Sequence, residues 1–484
     1  MDKLSKLAGQ FAAMFGLDPT FTFFLLACLL AACAFEFING FHDTANAVAT
    51  VIYTHSLKPT VAVIWSGLWN FIGVNVGGIA VAIGIINLLH ADVIIDRNLA
   101  HNVAMVLSLI LTAIIWNLAT WWFGIPCSSS HTLIGSIFGV GAAFILLPGN
   151  HEVALNWYKV AEVGLSLLIS PVFGFGLALL LMILLNKLVK NKEIFKEPQG
   201  KKPPPMWIRS ILILTCTSVS YAHGSNDGQK GVGLIMLILI AFAPAFFALD
   251  RSQPAGNLYM DAKKIEWTLH KMDTSSLSKK QLGELHLVQS NLVFITSELK
   301  GKTSVTQVEK EINFDIRKSI FIISRNIDLI FKTSVKTSKP QLASVDLAVL
   351  RSNVKKIKTH TEYAPRWVIF LVSLSLGLGT MIGWKKIVVT IGEKIGKTHL
   401  TYAQGGTAQL IAASTISVSS MFGLPVSTTH VLSSGVAGTM FAGNGRSNLR
   451  MNTIKNILAA WVFTIPVTIL LSGGLFILFR WIIK

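Results

Sequence analysis

The chain of 484 residues has few charged residues and especially few acidic ones. Only 14% of its residues are charged, and its 24 Asp and Glu are outnumbered by 42 Lys and Arg. The hydrophobic share of 52% is gathered into runs that approach the roughly 20 residues needed to cross a bilayer as a helix. These features exclude a soluble globular core as the main architecture and predict a polytopic membrane protein.

Cysteine is also scarce, and a cleavable signal is not evident. The four cysteines, at positions 28, 33, 127 and 216, have no CxxC spacing, which argues against a disulfide framework and a zinc site. The net charge of +18 lies mostly between apolar runs, where positive-inside bias explains it, so nucleic acid is not a predicted partner. No small-residue cleavage site leads into a soluble domain, so we interpret the first apolar stretch as the first span.

Two short polar motifs each occur twice within apolar sequence. GFHDTAN at residues 40–46 is matched by GSNDGQK at 224–230, and PCSSSH at 126–131 is matched by PVSTTH at 425–430. An aspartate in the middle of an apolar span costs roughly 2.5 kcal/mol or more, so such residues usually face a polar cavity. The four motifs predict one internal site that is built by two repeats.

Aligning the motifs divides the chain into two repeats of about five membrane segments each, and an odd number forces the second repeat to be inverted. We predict an all-α polytopic membrane protein with two inverted-topology repeats, broken helices or re-entrant hairpins, and a soluble, mostly helical insert. The predicted boundaries are 1–190 for repeat one, 191–206 for a basic loop, 207–249 for the start of repeat two, 250–363 for the insert and 364–484 for the remainder.

The insert and the loop charges bear on orientation. Residues 250–363 are rich in Lys, Ser, Thr and Glu and break the apolar pattern. If residues 207–249 cross the membrane once, the insert lies outside. Two short crossings within 207–249 would place the insert in the cytoplasm. Lys and Arg are concentrated in the loops at 187–209 and 385–397, which predicts that both termini lie outside.

The hydroxyl motifs have the pattern of a helix start, because proline suits the first turn. Unpaired N–H groups at such a start, together with hydroxyls, can bind an oxyanion. An alternative is that these residues only cap a helix or bond to nearby carbonyls. Recurrence in both repeats favours binding, and the candidate ligands are Ser128, Ser129, Ser130, Ser427, Thr428 and Thr429.

The aspartate motifs are predicted to break helices and expose carbonyl oxygens, as cation sites in transporters do. Carboxylates repel an oxyanion, so a cation or proton must accompany the anion, which predicts symport. The alternative is a structural polar pair inside the bundle. The candidate residues for cation or proton coupling are Asp43, Asn46, Asn226, Asp227 and Lys230.

The two aspartate motifs differ where Asn46 aligns with Lys230. An amide can coordinate a metal ion, whereas an ammonium supplies its own positive charge. This difference favours proton coupling over two-sodium coupling, unless Lys230 snorkels to an interface. His131, His430 and Glu36 are candidates for a proton relay; the alternatives are packing histidines and an interfacial glutamate.

The segments GFHDTANAVAT, AHGSNDGQKG, PCSSSHT and PVSTTHVLSSGVAGT resemble the signatures of the Pit family of inorganic phosphate transporters, especially its bacterial low-affinity type. The resemblance covers both repeats and implies phosphate held by the hydroxyl motifs, cations held by the aspartate motifs, and commonly a homodimer. The departures are Lys230, and His42 where many members have Asn. With these two departures the chain resembles the bacterial proton-coupled branch of the family, which is associated with neutral divalent metal–phosphate complexes.

The predicted function is import of inorganic phosphate, alone or as a divalent metal complex, by proton-coupled symport in the bacterial inner membrane, with lipid as its surroundings and no cofactor. The alternatives are a sodium-coupled phosphate or sulfate symporter, a channel, and an intramembrane hydrolase. Phosphate is favoured over sulfate because it still carries a proton that a carboxylate can accept. An enzyme is not predicted, because the paired motifs Ser-Ser-Ser-His and Ser-Thr-Thr-His give no asymmetric triad.

Overall fold

A computed structural model describes residues 18–89, 98–147, 155–198, 202–275, 277–333, 342–390 and 394–483. Within these ranges the regular structure is helical, and β-structure is limited to isolated bridges. Four of the helices described are long and apolar enough to cross a membrane, or five if one bent pair is a single span. The chain is thus all-helical with several apolar helices, as expected of a polytopic membrane protein. Residues 1–17 and 484, which bear on the predicted outside termini, lie beyond the described ranges.

The chain forms two compact units, one made of Thr20–Ile238 with Ala364–Lys484 and the other mainly of Leu239–Tyr363. The first unit opens with helices α1 (Pro19–Tyr53), α2 (Pro59–Val76), α3 (Ala80–Ile86), α4 (Leu99–Trp122), α5 (Ser129–Ile145) and α6 (Trp157–Leu188). A bend of 73° separates α2 from α3 and marks a broken span or a re-entrant loop. We call α1–α6 the N-terminal half of this unit.

The first aspartate motif lies inside an unbroken α1, so the predicted helix break there is wrong. Within this helix Thr44 Oγ1 donates to the Gly40 carbonyl at 2.6 Å, a bond to the residue four positions earlier that a continuous helix allows. The same hydroxyl lies 2.9 Å from the carbonyl oxygen of Thr380. The polar side chains of the motif therefore find partners without unwinding the backbone.

The second aspartate motif does interrupt regular helix. Helix α7 (Met206–His223) continues through a π-helical turn, Gly224–Gly228, into α8 (Gln229–Phe242). The two short crossings considered for 207–249 are not formed, because helical structure runs without a gap from residue 206 to 242. A π turn widens the helix locally and is often found at functional positions.

The second unit is a small helical bundle. It contains α9 (Pro244–Phe247), α10 (Ala255–His270), α11 (Lys279–Leu299), α12 (Lys310–Thr333) and α13 (Ser344–Thr359). Leu258, Ile295 and Ile323 are fully buried in its apolar core. The Arg317 guanidinium donates to the carbonyl oxygens of Ala248 (2.9 Å) and Thr361 (3.0 Å), so it ties together the two ends of this segment.

The first unit is completed by α14 (Arg366–Thr380), α15 (Lys385–Val389), α16 (Tyr402–Met421), α17 (Thr428–Asn444) and α18 (Met451–Ile482), which with α7 and α8 form its C-terminal half. Helix α5 packs along α18, and α17 packs along α6. At Gly139 and Gly438 these contacts are so close that any side chain would collide with the backbone of the partner helix. Each hydroxyl motif is thus held against the last long helix of the other half.

Candidate functional site

Both hydroxyl motifs begin helices, as predicted. Ser128 caps α5 by accepting a hydrogen bond from the backbone N–H of His131, and Ser427 caps α17 by accepting one from His430, each at 3.1 Å. The cap interpretation therefore describes the first hydroxyl of each motif. The second and third hydroxyls of each motif have other partners. All six hydroxyl residues of the two motifs are buried.

Asp43 receives hydroxyl donors from both halves. Thr429 Oγ1 donates to Asp43 Oδ1 at 2.6 Å, and Ser129 Oγ donates to Asp43 Oδ2 at 3.0 Å. The carboxylate is 2% exposed, so these bonds replace most of its lost hydration. A long contact of 3.5 Å joins Asp43 Oδ1 to His42 Nδ1, and His42 Nε2 lies 3.2 Å from Thr120 Oγ1.

Asp227 lies in the π turn and is paired with a cation. Lys230 Nζ donates to Asp227 Oδ1 at 2.6 Å, and Thr428 Oγ1 donates to Asp227 Oδ2 at 3.4 Å. Both charged residues are at most 2% exposed. A buried pair of this kind holds together because breaking it would leave an unpaired charge in an apolar surrounding.

Lys230 and Asn46 occupy matching positions. Lys230 Nζ also donates to Ser130 Oγ and to the Val426 carbonyl, the latter at 3.2 Å. Asn46 Nδ2 donates to Asp43 Oδ1 at 3.4 Å and to Thr429 Oγ1 at 3.1 Å. Each side chain therefore bridges the aspartate of its own motif and the third hydroxyl of the opposite half. Lys230 is buried against Asp227 and Ser130, so its side chain does not snorkel.

These side chains form one assembly, which we call the polar cluster: Asp43, Asn46, Ser129, Ser130, His223, Asp227, Lys230, Thr428 and Thr429.

His223 lies between the two aspartates, a position that the motifs do not predict. Its Nε2 lies 3.6 Å from Asp43 Oδ2 and 3.5 Å from Asp227 Oδ2, and its Nδ1 lies 2.7 Å from Asn70 Oδ1. His223 precedes Asp227 by four residues, one helical turn, which is the signal that could have indicated their proximity. The contact with Asn70 depends on the packing of α2 against α7 and has no signal in the sequence.

The two aspartates and His223 offer ligand atoms that lie within 4.8 Å of one another. Two carboxylates and one imidazole are donors that suit a divalent cation. The polar cluster together with Glu36 brings three carboxyl groups against the single ammonium of Lys230. Burying excess charge is costly, so a cation or a proton at this place would stabilise the buried carboxylates.

The remaining predicted residues lie beside the cluster. His131 and His430 place their ring centroids 4.4 Å apart, and His430 stacks on Trp461 at 3.8 Å. Asn226 does not bond to an aspartate in the described structure; its side chain bonds to Ser420, at 2.9 Å, and to the backbone of residues 424 and 426. Asn226 thus fixes the segment that leads into the second hydroxyl motif.

Buried carboxylates that face clustered hydroxyls within an all-helical, apolar chain are features of a polytopic membrane transporter. The chain belongs to the phosphate transporter family, whose profile matches residues 39–472. This confirms the resemblance found in the four motifs. The family and the relatives below are transporters, as predicted, and not enzymes.

Similar proteins match over almost the whole chain. The low-affinity inorganic phosphate transporter PitA of Escherichia coli (strain K12) is 42% identical over 495 aligned residues, which cover 95% of this chain and 97% of that protein. A probable low-affinity inorganic phosphate transporter of Bacillus subtilis (strain 168) is 27% identical and covers 93% and 96%. A solved structure described as the sodium-dependent phosphate transporter is similar in fold, with a TM-score of 0.53, 19% identity, and coverage of 95% and 99%.

Proposed function

We propose that the protein imports inorganic phosphate across the bacterial inner membrane by proton symport with alternating access. The observation that supports this most directly is the polar cluster, in which each hydroxyl motif bonds to the aspartate motif of the opposite half. Hydroxyl groups that can donate hydrogen bonds to an anion thereby lie beside carboxylates that can bind a cation, in one buried place. Membership of the phosphate transporter family makes phosphate the expected anion.

Phosphate would take over hydroxyl donors that now bond to the carboxylates, or, for Ser130, to the Val426 carbonyl. Ser129, Ser130, Thr428 and Thr429 lie at the first turns of α5 and α17, where helix dipoles also favour negative charge. Lys230 adds an ammonium that already touches Ser130. A tetrahedral anion needs donors from several directions, and two helix starts from opposite halves can supply them.

Coupling follows from the excess of negative charge. Lys230 neutralises the Asp227 side of the cluster, whereas the matching Asn46 leaves Asp43 without a lysine partner. Phosphate therefore needs a further positive charge, and protons supply it in the mechanism that we propose. If phosphate travels as a divalent metal complex, Asp43, His223 and Asp227 are the donors that suit the metal of that substrate.

The same contacts support the proposed architecture. Ser129 bonds to Asp43 as Thr428 bonds to Asp227, and Thr429 meets Asn46 as Ser130 meets Lys230. Such paired contacts are expected of two inverted repeats. We further propose the predicted domain boundaries with a soluble insert at 250–363, both termini outside, and assembly as a homodimer.

Uptake into proteoliposomes tests the proposal. Purified protein is reconstituted, and labelled phosphate is supplied with independently imposed proton and sodium gradients. We expect a proton gradient that is acidic outside to drive accumulation without sodium, and a sodium gradient at equal pH to have no effect. Accumulation that strictly requires sodium would establish the sodium-coupled alternative instead. Accumulation of labelled sulfate but not phosphate would establish the sulfate symporter, and parallel runs with a chelator or with Mg²⁺ show whether metal accompanies phosphate.

A further inference from the structure

Glu36 is a fully buried carboxyl group outside the four motifs. It lies in α1, seven residues before Asp43, and seven residues at about 100° per residue return to nearly the same face of a helix. Its exposed fraction is 0%. Its Oε2 accepts a hydrogen bond of 3.4 Å from Asn39 Nδ2, and its Oε1 has no hydrogen-bond partner among the described residues.

Asn39 has the same deficit. Its side-chain oxygen Oδ1 is buried and also finds no donor in the part of the chain that the structure describes. Two neighbouring side chains thus each have an acceptor oxygen that receives no hydrogen bond from the described residues. An ionised carboxylate in this setting loses hydration without compensation. A proton on Glu36 would remove the charge and would provide an O–H that can donate to the amide oxygen of Asn39.

The carboxyl group of Glu36 occupies the space that a side chain at Gly231, next to Lys230, would need. A side chain at Gly231 would collide with the carboxyl group of Glu36, so this carboxyl lies directly against the backbone of α8. The ionisable groups that act on Glu36 from the packed elements are Asp227, Lys230 and His223, and Cys33 precedes it by one turn on α1. Glu36 therefore interacts electrostatically with the polar cluster without bonding to its hydroxyls.

Taking proton symport from the proposed function, we propose that Glu36, with Asn39 as its hydrogen-bond partner, is the binding site of the coupling proton. Protonation changes the group of Asp227, Lys230 and Glu36 from a net charge of minus one to zero. The neutral group repels phosphate less, so a proton on Glu36 strengthens phosphate binding at the hydroxyls beside Lys230. By linkage, bound phosphate raises the proton affinity of Glu36 to the same degree. The proton and the anion then load and leave together.

The test compares Glu36→Gln, which keeps the size and the neutral form of the side chain, with Glu162→Gln as a matched control. Glu162 pairs with Lys159 at a partly exposed position on α6. We expect Glu36→Gln to reduce proton-driven phosphate accumulation in proteoliposomes by about tenfold or more, because the variant binds no coupling proton. Exchange of internal for external phosphate at equal pH should continue and should become less sensitive to raised pH than in the wild type. Glu162→Gln should match the wild type in both assays.

Glu36→Asp keeps a titratable carboxyl and decides the matter if Glu36→Gln fails to reach the membrane. It should retain proton-driven accumulation with a shifted pH profile. Wild-type accumulation in Glu36→Gln, or an unchanged pH profile in Glu36→Asp, would overturn the assignment. A wild-type protein that responds to sodium and not to protons would instead refute the proposed coupling, so the wild-type arm separates that failure from a failure of Glu36 alone.

Discussion

Thr429 Oγ1 donates a hydrogen bond of 2.6 Å to Asp43 Oδ1 across 386 positions of sequence. The bond joins the second hydroxyl motif to the first aspartate motif. Lys230 Nζ makes the complementary link to Ser130 Oγ, which joins the second aspartate motif to the first hydroxyl motif. Because both bonds cross between the halves, a rocking of one half against the other, as alternating access requires, must exchange them for other bonds. Phosphate bound at these hydroxyls would compete for the same donors.

Asp43→Asn and Asp227→Asn should each abolish phosphate uptake while leaving membrane insertion intact. Each change removes an acceptor and a charge from the buried cluster that we propose couples the cation to phosphate, so uptake should fall by roughly 100-fold or more. The measurement is uptake of labelled phosphate in cells, with the amount of protein in the membrane determined in parallel. Asp346→Asn, in a partly exposed pair with Lys271, is the control and should behave as wild type. Near-normal uptake by either cluster variant would remove that aspartate from the mechanism.

Much of the fold and of the site is readable from the sequence because the signals are local. Long apolar runs predict spanning helices, and proline before Ser or Thr predicts the starts of α5 and α17. The break between α2 and α3 coincides with Gly77 and Gly78, a pair that marks turns in a sequence. Gly78 has a φ of 82°, which other residues rarely adopt.

Other features depend on packing between distant elements and have no local signal. Polar residues at 40–46 indicate a broken helix, yet α1 continues through them and Thr44 Oγ1 reaches the Thr380 carbonyl of a distant helix. The bridge of His223 between the aspartates requires α2, which brings Asn70 to its Nδ1. Asn226 carries an amide of the kind that can bind a cation, but its side chain bonds to Ser420 and to the segment before Ser427. The local sequence cannot show which partner each of these polar side chains finds, because the partners lie on other helices.

The second and third hydroxyls should act as a group. Ser129→Ala combined with Thr428→Ala removes one donor from each half, and hydrogen bonds to charged groups contribute about 1.5–3 kcal/mol each. We therefore expect phosphate affinity to fall by about 100-fold or more, as measured by equilibrium binding to purified protein. Ser290→Ala combined with Thr306→Ala, at exposed positions of the second unit, is the matched control. Equal effects of the two double variants would show that the motif hydroxyls are only caps.

His360 makes the stability of the 239–363 unit sensitive to acid. The side chain is buried, and burial lowers its pKa below the ordinary 6.5, against the opposing effect of Asp261 and Asp250. Below pH 6.5 the unfolded segment therefore binds a proton that the folded segment resists, so stability falls with decreasing pH; above 6.5 both states are neutral and the effect vanishes. Hydrogen exchange of residues 344–359 in the full-length protein, corrected for intrinsic rates, should show less protection at pH 5.5 than at 7.5. His360→Gln should lose that difference, and an equal difference in both proteins would assign it to another group.

Lys230 distinguishes the two coupling modes most directly. Its ammonium stands where Asn46 stands in the other motif, and it neutralises Asp227 at 2.6 Å. Lys230→Asn should copy the first motif into the second and leave Asp227 without its cation, so proton-driven uptake should become slower by about tenfold or more, or newly responsive to sodium. Uptake in proteoliposomes under separate proton and sodium gradients measures both outcomes, with Lys159→Asn on α6 as the matched control. A wild-type protein that strictly requires sodium, together with an unchanged Lys230→Asn variant, would show that this ammonium does not replace a cation.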